Sequence, residues 1–86
     1  MKKLIASYKS RNTLMQFINI LKSNGISVFV INTPSKISSS CGLSAKLDYM
    51  HLKKVISIIQ QVNLPGFIGL FSIEQYGLQE IINRLY

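Results

Sequence analysis

The chain has 86 residues, with ten Lys and Arg against three Asp and Glu, for a formal net charge of +7. This length holds one hydrophobic core, so a single domain over 1–86 is expected. An apolar share of 48% excludes a disordered tail, and Cys41, the single cysteine, excludes a disulfide scaffold.

Leu4 to Tyr8 is short and mostly apolar, and reads as a first strand. Ser10 or Asn12 then offers an oxygen to cap a helix. Leu14, Phe17, Ile18 and Leu21 follow at the spacing of one helical face. Asn24-Gly25 stops that helix, because glycine accepts the left-handed conformation of a helix end. Ile26 to Ile31 is rich in β-branched residues and too short for a helix, so it reads as a second strand. Asn32 to Gly42 is a polar loop. Leu43 to Leu47 alternates apolar and polar residues, as a strand with one buried face does.

Asp48 is placed to cap a second helix, with Leu52, Val55, Ile56, Ile59 and Val62 as its apolar stripe. Asn63-Leu64-Pro65-Gly66 ends it. Phe67 to Ile73 reads as a fourth strand, with Gly69 a weak point or a place of close approach. After Gly77, the spacing of Leu78, Ile81, Ile82 and Leu85 predicts a short amphipathic C-terminal helix.

The order is βαββαβ with one extra helix, the ferredoxin-like split βαβ pattern. It predicts an α+β fold: a four-stranded antiparallel sheet in the order 4-1-3-2, with two helices on one face. The other face needs cover from the C-terminal helix, a partner chain or polar side chains. Apolar runs such as Val28 to Ile31 fall far short of the roughly 20 residues that span a bilayer. Met1-Lys2-Lys3 starts like a signal peptide. The apolar stretch behind it ends at Ala6, short of the roughly 7–15 residues required, so the expected location is the cytoplasm.

This topology brings the Asn32 to Gly42 loop, the start of the first helix and the Leu64 to Phe67 turn to one end of the sheet. Cys41 is thus expected near Ser10, Arg11 and Asn12, where free N–H groups and the helix dipole favour an anion. Lys9, Arg11 and Lys36 add positive potential. A thiol in such a place titrates below its free value of about 8.5, and only the thiolate is a nucleophile. Gly42 is read as permitting a tight turn, and Ser38, Ser39 and Ser40 as a polar approach. From residues alone, two readings stay open: a reactive thiol, or a small residue packed at a strand start.

Thr33-Pro34 together with Ile37-Ser38-Ser39-Ser40-Cys41-Gly42-Leu43 resembles the signature of the small bacterial selenium/sulfur carrier-like proteins. The resemblance runs weakly over nearly the whole chain and is specific at the Ser-Ser-Cys-Gly turn. Members often carry Arg directly after the Thr-Pro pair, whereas here Ser35 stands there and Lys36 follows. The resemblance implies that Cys41 receives a terminal sulfur or selenium atom as a persulfide or selenosulfide. The loop residues Thr33, Pro34, Lys36, Ser39, Ser40 and Gly42, with Ser10 and Arg11, would surround it. The implied partners are a donor protein such as a cysteine desulfurase and an acceptor; separately, the small core of so short a chain leaves a homodimer through an apolar face open.

A carrier needs one accessible thiolate and no general base, because the thiolate itself attacks the donor sulfur. Little other chemistry is present. His51 is the single histidine and is expected at the far end of the sheet from Cys41. Asp48, Glu74 and Glu80 are widely separated, so neither a paired acid and base nor a metal-ligand spacing is evident, and no cofactor is expected. The alternative is a non-enzymatic binding module for a protein or RNA, with Cys41 structural. The basic residues are scattered rather than run together, and the third strand lacks the aromatics of an RNA-reading sheet, which speaks against nucleic acid.

Overall fold

In a computed structural model, residues 2–37 and 42–86 are described. They form β1 (Lys2–Tyr8), α1 (Arg11–Ser23), β2 (Phe29–Asn32), β3 (Leu43–Asp48), a 3₁₀ turn (Tyr49–His51), α2 (Leu52–Val62), β4 (Phe67–Tyr76) and β5 (Gln79–Arg84). The strands make one antiparallel sheet in the order β2-β3-β1-β4-β5.

The first half follows local chemistry. Ser10 caps α1, its hydroxyl accepting from the Thr13 N–H at 3.4 Å. The helix ends in a Schellman motif: Gly25 N–H donates to Lys22 O, and Ile26 N–H reaches back to Leu21 O. Gly25 has a φ of +78°, which suits a residue without Cβ. The predicted second strand is therefore too long at its start. Ile26 closes the helix end and is buried in the core, and β2 begins only at Phe29. Asp48 caps the 3₁₀ turn rather than α2 itself, accepting from Met50 N–H at 3.0 Å, and His51 stands at the α2 N-cap without a side-chain cap bond. The buried positions of α2 are Val55, Ile58 and Ile59, so Ile58 joins the expected stripe while Leu52, Ile56 and Val62 line its margin.

Both helices lie on one sheet face. Leu4, Ala6 and Tyr8 of β1, Ala45 and Leu47 of β3 and Leu70 of β4 form one core with Leu14, Phe17, Ile18, Leu21 and the α2 residues. The Tyr8 ring stands 5.1 Å from Phe17 and 5.3 Å from Phe67, centroid to centroid, and burial pushes its hydroxyl up to about 12. Ile5 is equally buried but lies on the opposite face, beside Phe71.

The four-stranded ferredoxin-like sheet and the C-terminal helix are not what forms. Residues 79–84 are a fifth strand paired to β4, with Ile73 opposite Ile82 and Tyr76 opposite Gln79. Gly77 and Leu78 make a two-residue turn with positive φ (+60°) at Gly77 alone, the type II′ arrangement that matches strand twist. A helix of this length is marginal alone, and the free edge of β4 offers a backbone ladder instead. The helical spacing was coincidental: Leu78 is wholly exposed at the hairpin tip. Among the described residues, no helix is long and apolar enough to cross a membrane.

Candidate functional site

Three connections meet at one end of the sheet. β1 ends there opposite the start of β3, with Ser7 facing Ser44. Lys9 N–H donates to Gly66 O at 2.8 Å, which brings the turn before β4 to the entry of α1. Beyond β2, Thr33 N–H donates to Gly42 O at 2.8 Å and closes the base of the loop. The expected meeting of these segments is therefore present. Ser39, Ser40 and Cys41 lie outside the described residues, so the approach of Cys41 to Ser10 and Arg11 does too. Ser10 and Arg11 are exposed, and the Ser10 hydroxyl is engaged as the α1 cap.

The loop base is bound to the sheet by three hydroxyls in a row. Thr33 Oγ1 lies 2.6 Å from Ser44 Oγ, which lies 2.7 Å from Ser7 Oγ. Ser7 and Ser44 are both fully buried. Buried hydroxyls are costly unless paired, and here each has a partner. Thr33 thus grips Gly42 through its backbone and the sheet through its side chain. The sequence pattern gave Ser44 a solvated face, and Ser7 passed as one polar residue in an apolar strand. Their shared signal is a cross-strand register that only the β1–β3 pairing reveals.

The same row continues to Gly69 of β4, opposite Ser7. A Cβ at Gly69 would stand 2.9 Å from Phe71 Cζ and 3.3 Å from Arg84 Cζ. The close-approach reading of Gly69 is correct, because the Phe71 ring occupies the space above it. Arg84 lies over that ring at 5.8 Å and donates to Ile68 O at 3.0 Å. Part of the cover of this face thus comes from β4 and β5 side chains.

Gly42 needs a correction. Its φ is not in the left-handed region, and a Cβ there would meet Thr33 Oγ1 at 3.5 Å, an ordinary contact. The backbone at this position does not demand glycine. Pro34 O accepts from Ile37 N–H at 2.9 Å, so Pro34 opens a turn. Lys36 does not point back to the α1 start. Its Nζ donates to Glu80 O at 2.6 Å and ties the loop to β5, the opposite edge of the sheet.

The remaining polar groups serve local structure. Asp48 is held below the usual carboxylate range, first by the Met50 N–H it accepts and then by Lys3, 3.7 Å away. Glu74 is lowered first by the Tyr76 hydroxyl and then by Lys2. His51 sits in the 3₁₀ turn at the far end of the sheet from the loop base, as expected. Among the described residues, no group of three His, Cys, Asp or Glu is arranged to hold a metal ion.

No curated protein and no solved structure matches the chain. Residues 3–66, from β1 through the loop to the turn before β4, match the family described as Putative Se/S carrier protein-like, and the chain belongs to that family.

Proposed function

We propose that this protein carries sulfur or selenium on Cys41. The thiolate of Cys41 attacks the terminal sulfur of a donor persulfide. A bond forms from Cys41 Sγ to that sulfur, the donor S–S bond breaks, and the donor leaves as a thiolate. The exchange is redox-neutral, and a second attack by an acceptor thiolate passes the atom on. A selenium atom follows the same path as a selenosulfide.

The observation that carries this reading is the family match over 3–66, which contains the whole loop. The clamped loop base supports it. A carrier needs a fixed platform under a reactive sulfur, and Thr33, Ser44 and Ser7 supply one directly beneath Gly42. The donor is read as a cysteine desulfurase and the acceptor as a second thiol protein.

Incubation with a cysteine desulfurase and cysteine, followed by intact mass measurement, is expected to show one added sulfur atom. Reductant should remove it, and Cys41→Ser should never acquire it. Absence of the adduct, with a Cys41 thiol titrating at the free value of about 8.5 or above, overturns the reading.

A further inference from the structure

The two edges of the sheet differ in kind. β5 flanks Ile81 (41% exposed) and Ile82 with Gln79, Glu80, Asn83 and Arg84, and its Glu80 carbonyl is taken by Lys36. Such polar residues blunt an edge against stray pairing. β2 reads Phe29-Val30-Ile31-Asn32 and has neither charge nor proline. Phe29 is 68% exposed and Val30 is 45% exposed, although they point to opposite faces. A groove of about 530 Å³ runs beside them, lined mainly by apolar atoms, with Lys3, Lys46 and Asp48 at its border.

The hydrogen-bond phase of β2 is set by the Thr33–Gly42 bond. Antiparallel partners alternate, so Phe29 and Ile31 direct their backbone groups to β3. Val30 and Asn32 direct theirs outward and leave ladder positions open. Among the described residues Lys46 has no carboxylate within ion-pair distance, whereas Lys3 shares Asp48. A second copy of the chain carries the same net +7 and brings only three acids with its ten cations to meet Lys46.

We infer that the β2 edge is a docking strand for an extended, acidic, apolar segment of a partner protein, which adds a sixth strand beside Val30 and Asn32. Main-chain bonds supply the register, the apolar groove takes alternate side chains, and Lys46 meets a carboxylate. β2 runs directly into Thr33, so a strand docked there ends beside the base of the loop. This goes beyond the carrier reading and does not depend on the thiol.

The test uses the Cys41→Ser protein, so its outcome is separate from sulfur transfer. The probes are two synthetic nine-residue peptides, one alternating valine with glutamate and the other valine with lysine. The acidic peptide is expected to protect the Val30 and Asn32 amides from hydrogen exchange and to bind at least about tenfold more tightly than the basic one. Val30→Pro removes an outward N–H while sparing the β3 ladder, and should abolish binding without lowering the melting temperature. If that variant fails to fold, Phe29→Ser should still weaken binding and Lys46→Glu should reverse the peptide preference. Absence of protection at Val30 and Asn32, or binding unchanged by Phe29→Ser and Lys46→Glu, overturns the inference. A dimer in sedimentation that Phe29→Ser dissolves also overturns it, by making a second copy the occupant.

Discussion

At the scale of single residues, the hydroxyl row is the feature on which the loop rests. Ser44 sits in its middle and partners both Ser7 and Thr33. Ser44→Ala strands two hydroxyls at once, and the expected cost is about 1–3 kcal/mol in urea unfolding. Ser7→Ala leaves the Ser44–Thr33 bond intact and should cost less. Equal costs would show that the row does not act as a chain. Tyr8 makes a second residue-scale prediction, through pH. It keeps its proton to about 12 in the fold, while an unfolded tyrosine loses it near 10. Between those values the unfolded chain binds fewer protons, so stability falls as pH rises. Melting temperatures across this window should decline, and Tyr8→Phe should remove its share of the decline.

At the scale of elements, β5 is an edge strand held from one side. It pairs with β4 alone, and its turn depends on the positive φ of Gly77. Gly77→Ala forces a Cβ into that conformation, at an expected cost of about 1 kcal/mol. Hydrogen exchange should quicken first in β5, because the hairpin opens before the core does. Gly69 behaves differently. Its φ is ordinary, but the Phe71 ring and Arg84 fill the space a side chain would take. Gly69→Val should cost about 1–3 kcal/mol by overpacking. Gly42→Ala, by contrast, should melt close to the parent protein, since its Cβ finds ordinary contact distance. This contrast among three glycines follows from what surrounds each in the folded sheet.

At the scale of the whole molecule, charge opposes compactness. Ten cations face three acids, and the two ion pairs among the described residues, Lys2–Glu74 and Lys3–Asp48, are both at the surface. Solvent screens such exposed pairs, so added salt loses little there. Screening the +7 self-repulsion gains more. The melting temperature is therefore expected to rise as salt increases toward about 0.15 M, where the screening length is about 8 Å. A fall would mean that the two pairs outweigh the repulsion.

Much of this fold follows from the sequence alone, because its determinants are local. The apolar faces of both helices, the Ser10 cap, the Gly25 stop and the first, third and fourth strands each rest on residues within a turn of one another. The family signature is local as well, which is why the loop from Thr33 to Leu43 is recognisable by inspection. Tertiary structure decided the rest. Residues 79–84 became a strand because the edge of β4 was open to them, and no helical spacing could register that. Ser7 and Ser44 became buried partners because the β1–β3 register set them face to face across 37 positions of chain. Lys36 turned toward Glu80 rather than the helix start because its ammonium donates to the Glu80 carbonyl on the opposite edge of the sheet. Contacts between residues far apart in sequence carry no local signature, so only the assembled sheet could choose them.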